Sequence, residues 1–214
     1  MKYKLVVFDV DGTLTRHISS WQYIHEKFRV WDKLARDYQD QFMAGKIDYY
    51  RFCELDAALW KGIEEKKIKA LFTRRLYTEN AVECIVKLKE SGLKLGLIST
   101  GLQYMPQKFA EDISPDIIIC NRLLSANGIM TGRVQVNVAH DEKGSKLESV
   151  INDLGIIKEE VICVGDGRGD LGMARKSGYS IAFNSAEPEF LEAVDHICKT
   201  RDLMEVYRVI KKIL

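Results

Sequence analysis

Two aspartates separated by one residue, Asp9 and Asp11, follow directly on the apolar run Leu5-Val6-Val7-Phe8. A short run of β-branched and aromatic residues, followed closely by Gly12, reads as a strand buried on both faces, as in a parallel sheet. Carboxylates at the mouth of such a core are costly unless something pairs with them. Further along, GLISTG ends in Ser99, Thr100 and Gly101, DEKGSKLES carries Lys143, and VGDGRGD carries Asp166 and Asp170. Four carboxylates brought together cannot all ionise without counter-charge. A hard divalent cation with oxygen ligands supplies it, and Mg2+ suits a site of few carboxylates that keeps some water. A lysine, hydroxyls and free backbone N–H groups at a helix start suit an anion of phosphate type. Together these describe phosphoryl transfer, with Asp9 as the nucleophile that forms an aspartyl-phosphate. Asp11 is expected to protonate the leaving alkoxide and then activate water, which requires its pKa to be raised by nearby negative charge.

These residues must be carried to one place by the elements around them. The pattern predicts a helix over 79–91 ending at Gly92, strands at LKLGLIST (93–100) and DIIIC (116–120), and a hairpin around Asn127-Gly128. A helix over 146–155 ending at Gly155, a strand at EVICVGDG (160–167), a helix over 170–178, a strand at YSIAF (179–183) and a helix over 201–214 follow. Alternating β and α implies a doubly wound parallel sheet, whose ligands bind at the carboxyl ends of its strands. Residues 16–77 break the rhythm. They read as helices only: one capped by Ser19 or Ser20 and carrying Trp21, Ile24, His25 and Phe28, one around Tyr38 to Met43, one over Tyr49 to Trp60 and one over Ile63 to Leu76. The expected division is therefore a catalytic core of 1–15 and 78–214 with a small helical cap domain, 16–77, inserted after the first strand.

Lys and Arg number 32 against 31 Asp and Glu, a balance that gives no general attraction to nucleic acid or acidic membranes. No apolar run is long enough to span a bilayer, and the N-terminus enters a strand without a signal-peptide pattern. Cys53, Cys84, Cys120, Cys163 and Cys198 are odd in number, widely spaced and set among apolar neighbours, which suits core residues of a reduced, cytoplasmic protein. The basic run EEKKIKALFTRR reads as the solvated face of a helix. Trp21, Trp31 and Trp60 read as core of the helical segment, and His17, His25, His140 and His196 show no metal-ligand spacing. Arg168-Gly169-Asp170 spells an adhesion tripeptide by coincidence. Lys146 is a rival to Lys143, which is preferred because Gly144 follows it.

FDVDGTLT, LISTG, Lys143 in EKGS and VGDGRGD resemble, in order and from end to end, the four motifs of the haloacid dehalogenase superfamily. The helical insertion, FMAGKIDYY and the hairpin NRLLSANGIMTG resemble its phosphoserine phosphatase group. The resemblance implies a Rossmann-like core and a phosphatase acting on a small phosphomonoester. It implies Asp9 as nucleophile and Asp11 as acid and base. It further implies Mg2+ held by Asp9, the Asp11 carbonyl and Asp166 with Asp170 in support, and Ser99, Thr100, Gly101 and Lys143 around the phosphoryl group. The substrate pocket would fall on Ile18, Met43, Tyr49 and Asp56. Two of these depart from the group: Ile18 stands where a glutamate binds the serine amine, and Asp56 where an arginine grips the carboxylate. Each lost charge-assisted bond is worth about 1.5–3 kcal/mol, which argues against phosphoserine as substrate. Gly169 stands where the group usually carries asparagine. A phosphoserine phosphatase with altered recognition, a phosphomutase and a binding module without turnover are the alternatives.

Overall fold

The computed structural model describes residues 2–17 and 19–214. In chain order the elements are β1 (Leu5–Phe8), α1 (Ser20–Lys27), α2 (Arg36–Met43), α3 (Tyr49–Ala58), α4 (Glu65–Lys69), α5 (Ala81–Glu90), β2 (Lys94–Leu102), α6 (Tyr104–Ile113), β3 (Ile117–Ala126) and β4 (Ile129–Gln135). Then come α7 (Lys143–Leu154), β5 (Val161–Gly165), α8 (Leu171–Arg175), β6 (Tyr179–Phe183), α9 (Pro188–Ala193), β7 (His196–Cys198) and α10 (Met204–Ile213). The seven strands form one sheet in the order β4-β3-β2-β1-β5-β6-β7. Every pairing is parallel except β3 with β4. This is the doubly wound α/β sheet expected from the sequence.

Strand β1 explains the layering. All four of its side chains are fully buried. Val6 and Phe8 pack on one face with Ile85 and Leu88 of α5, Phe109 of α6, and Val206 and Ile210 of α10. Leu5 and Val7 pack on the other with Leu147, Val150 and Ile151 of α7 and Met173 of α8. An alternating strand cannot bury both sets unless helices cover both faces. After β1 the chain adds β2 and β3 on one side, then returns to add β5 on the other. The order reverses at β1, and the crevice outside its carboxyl end is the expected ligand position.

Between Arg16 and Leu76 the described residues hold helices and no strand beyond an isolated bridge of Glu64 with Ile129. The segment leaves and returns through one narrow neck: Thr15 bridges Tyr77, and Thr78 N–H donates to the Leu14 carbonyl at 2.9 Å. Ser19 caps α1 and Asp48 caps α3. The fourth helix is shorter than the sequence suggests, ending at Lys69. Other boundaries shift too. Strand β2 runs on through Gly101 to Leu102, and β3 joins DIIIC and the hairpin arm into one strand. Helix α7 begins at Lys143, three residues earlier than read. The hairpin turn has Asn127 and Gly128 at φ +52° and +76°, the left-handed pair that a two-residue turn requires. All five cysteines are buried and free. Among the described residues no helix is long and apolar enough to cross a membrane.

Candidate active site

The loop after β1 is shaped by Gly12. Its φ of +90° turns the chain back, and a Cβ there would lie 2.3 Å from Asp166 Oδ2. Only a glycine lets the β1 loop press against the end of β5. One residue on, Thr13 Oγ1 donates to Asp166 Oδ1 at 3.1 Å. Asp9, Asp166 and Asp170 thereby each place a carboxylate oxygen within 4.8 Å of the others.

Lys143, in the first turn of α7, reaches into this cluster. Its Nζ donates to Asp9 Oδ1 at 2.5 Å and to Asp170 Oδ1 at 2.6 Å. All three side chains are at most 5% exposed. The other oxygen of Asp170 accepts from the backbone N–H groups of Asp166 and Gly167, at 3.0 and 3.2 Å. Asp170 is thus committed to holding the β5 loop and Lys143. Lys143 rather than Lys146 is the lysine of the site.

Asp11 stands apart from the three clustered carboxylates. Its Oδ2 accepts from Ser20 N–H at 2.7 Å, and a Cβ on Gly101 would lie 2.3 Å from the same oxygen. Asp11 therefore rests between the start of α1 and the end of β2. Ser20 Oγ accepts from Leu102 N–H at 2.9 Å, pinning α1 to that strand. Ser99 Oγ accepts from Gly101 N–H at 3.0 Å and folds the strand end into a small nest. The Thr100 carbonyl accepts from Trp21 Nε1, Tyr49 OH and Asn121 Nδ2, at 3.1, 3.1 and 2.9 Å.

The electrostatics follow from burial with too little positive charge. Burial pushes the Asp9 carboxyl well up; Lys143 pulls it down, while Asp170 and Asp166 push it further up. Asp166 is raised to about 6, first by burial and then by Asp170. Burial alone would lower Lys143, but Asp170 and Asp9 outweigh it and the ammonium is held protonated. Asp11 is raised as expected, but the main cause is burial rather than neighbouring negative charge, with the Ser20 hydrogen bonds opposing it.

Of the expected substrate-pocket residues, Ile18 lies outside the described residues. Met43 is 74% exposed at the end of α2. Tyr49 reaches the Thr100 carbonyl and so borders the site. Asp56 is only 2% exposed and faces His25, whose Nε2 lies 3.2 Å from its Oδ2. Its charge meets an imidazole inside the helical segment, not an open surface. Sequence reading missed Thr13, Ser20 and Asn121. Thr13 sits in the same DGT stretch as Asp11 and was findable there. The positions of Ser20 and Asn121 depend on how α1 and β3 meet β2, which no local pattern encodes. Two open surface grooves of about 630 and 610 Å3 lie elsewhere, at the β3 edge beside Arg122 and on the helical segment beside Arg29; no carboxylate of the cluster lines either.

Clustered buried carboxylates bridged by a lysine, with a further raised carboxyl nearby, stand at the mouth of a doubly wound sheet. The family model for haloacid dehalogenase-like hydrolases matches residues 6–175, and the chain belongs to that family. Within it the chain is a phosphatase related to the phosphoserine phosphatases. It is 31% identical to the phosphoserine phosphatase of Methanocaldococcus jannaschii over 98% of this chain and 99% of that one. It is 31% identical to that of Lactococcus lactis over 98% and 96%. Among solved structures, a phospho-aspartyl intermediate analogue of phosphoserine phosphatase superposes with a TM-score of 0.82 at 29% identity, covering 98% of this chain and 99% of that one. A substrate-bound phosphoserine phosphatase gives 0.83 at 29% identity, with the same coverage.

Proposed function

We propose that this chain is a Mg2+-dependent phosphomonoester hydrolase that acts on a small phosphorylated metabolite through an aspartyl-phosphate on Asp9, with residues 16–77 as a cap over a core of 1–15 and 78–214. The observation that carries this reading is the buried cluster of Asp9, Asp166 and Asp170, with Lys143 in hydrogen-bond contact with Asp9 and Asp170. Asp9 would attack phosphorus as the bond to the leaving oxygen breaks, and Asp11 would give that oxygen its proton. The Asp11 carboxylate would then take a proton from water as the water attacks phosphorus, freeing inorganic phosphate and restoring Asp9. Its raised pKa keeps it available as an acid in the first half. Lys143 and the Ser99–Gly101 nest would stabilise the equatorial phosphoryl oxygens.

The site fits a hard cation: its donors are carboxylates within 4.8 Å of one another, and Asp9 and Asp166 are raised first by burial and further by neighbouring carboxylates although Lys143 opposes it. Asp9, Asp166 and the Asp11 main-chain carbonyl would hold it, with Asp170 in support. When bound, the cation would neutralise charge on the phosphoryl oxygens and fix them against the nucleophile. The helices over the site would exclude water before the leaving group departs. The protein is read as cytoplasmic, with neither nucleic acid nor membrane as partner.

The absence of the amine-binding and carboxylate-binding residues at Ile18 and Asp56 argues against phosphoserine as the preferred substrate. The names of the relatives favour a second reading, phosphoserine with altered recognition. Phosphate release from a panel of phosphomonoesters, with and without Mg2+, on wild type and Asp9→Asn, tests both. Mg2+-dependent release lost in Asp9→Asn, with phosphoserine ranked low, is the expected result. No release from any ester by a folded, Mg2+-binding protein would contradict it.

A further inference from the structure

His140 stands at the seam between the helical segment and the strand-end site, and the reaction above does not use it. It is exposed, in the turn that leads into α7, three positions before Lys143. Gly169, beside Asp170, carries no side chain. The three atoms nearest to where one would begin all belong to His140: Cε1 at 3.7 Å, the carbonyl oxygen at 3.8 Å and Nδ1 at 3.9 Å. The imidazole thus lies against the loop whose Asp170 holds Lys143. Its other ring neighbours come from the helical segment. Phe42 meets it edge-on with centroids 6.1 Å apart, and Tyr49 lies tilted at 6.5 Å. Tyr49 in turn donates to the Thr100 carbonyl, beside the Ser99–Gly101 nest.

The turn that carries His140 is tied down on two sides. One carboxylate oxygen of Glu142 accepts from Ala139 N–H at 3.0 Å, and the other accepts from Tyr50 OH of α3 at 3.3 Å. The ring is therefore placed, yet among the described residues neither of its nitrogens has a hydrogen-bond partner in the protein. A placed donor with an open side costs a ligand little ordering when it binds.

We propose that His140 is a specificity-determining residue that donates a hydrogen bond to an oxygen of the leaving group, a hydroxyl or a carboxylate. This rests on the phosphatase reading and deepens it. The position selects the contact. An ester with its phosphorus at Asp9 must send its leaving group out of the sheet mouth, where α1 and α3 meet the strand ends. Phe42 and Tyr49 offer ring faces along that seam, and His140 adds an N–H. An imidazole carries at least one N–H in either protonation state, and a hydroxyl or carboxylate oxygen can accept from it. An ammonium group has donors only and gains nothing there.

The test uses two matched pairs of esters: glycerol phosphate with propyl phosphate, and phosphoserine with phosphoethanolamine. Each pair differs by the oxygen groups that His140 would contact. The ratio of kcat/KM within each pair is measured in wild type, His140→Phe and His140→Gln. His140 is exposed, so both variants should fold; Phe keeps a ring and removes the donor, whereas Gln keeps a donor. His140→Phe should lower the ratio of one pair by roughly 3–10-fold, the worth of one hydrogen bond, and His140→Gln should lower it less. A loss in the first pair assigns the contact to a hydroxyl, and a loss in the second to a carboxylate. Both ratios unchanged in His140→Phe would mean a solvated ring only and would overturn the proposal. Equal losses in the two variants would point to ring packing and overturn it as well. Failure to hydrolyse these esters and p-nitrophenyl phosphate would sink the phosphatase reading along with it.

Discussion

The molecule buries charge twice, and it does so differently in its two halves. At the strand ends, Lys143 bridges Asp9 and Asp170, and the second Asp170 oxygen takes two backbone N–H groups. In the helical segment, His25 faces Asp56 at 3.2 Å and leaves polar atoms without partners. The first arrangement is built from the loops after β1 and β5 and the first turn of α7. The second spans α1 and α3, with the rings of Trp31 and Trp60 against His25 and Trp21 stacked on Trp60. Fixed groups suit a reaction whose geometry must be set before substrate arrives.

Breaking the strand-end site should have the larger consequences. Asp9→Asn removes the nucleophile and should lower kcat on the order of 10^4-fold or more, read by phosphate release under saturating ester. Lys143→Ala strands two buried carboxylates without their cation. It should cost roughly 3–5 kcal/mol of stability in denaturant titration of the metal-free protein, well above the cost of Asp56→Asn. If Asp56→Asn proved the more damaging, the contrast between the two halves would be reversed. Mg2+ at a hundredfold excess over its Kd should stabilise wild type by about 2.7 kcal/mol and leave Asp166→Asn nearly unmoved, a difference that thermal unfolding resolves.

The smallest effect sharpens the other half. Burial raises the Asp56 carboxyl from its ordinary value of 3.8, with His25 beside it pulling against the rise. A raised carboxyl holds its proton in the folded state where the unfolded chain has lost it. Wild-type stability should therefore fall, relative to Asp56→Asn, as pH climbs above the ordinary aspartate range. The same dependence in both proteins, measured by denaturation across that range, would show that Asp56 is not strained by its burial.

Much of the strand-end site was legible in the sequence because each part is local. The run Leu5–Phe8 and the aspartates behind it, the lysine at a helix start, and Asp166 and Asp170 around a glycine turn are each set by a strand and the turn after it. Their convergence followed from the alternation of β and α. The edge of the sheet was not legible. Strand β7 is three residues long and α9 six, too short for periodicity to register. Asp56 was readable as a departure but not as a partner of His25, because that contact depends on how α1 packs on α3. The cause of the raised Asp11 carboxyl was missed for a similar reason: burial between α1 and β2 is a tertiary effect.

The most direct measurement is to quench the enzyme in acid during turnover of a phosphomonoester with Mg2+ and locate the phosphoryl group by mass spectrometry. The account predicts a mass increment of one phosphoryl group on the peptide carrying Asp9, absent in Asp9→Asn. A phosphoryl group on another residue, or rapid turnover with Asp9 never modified, would contradict it.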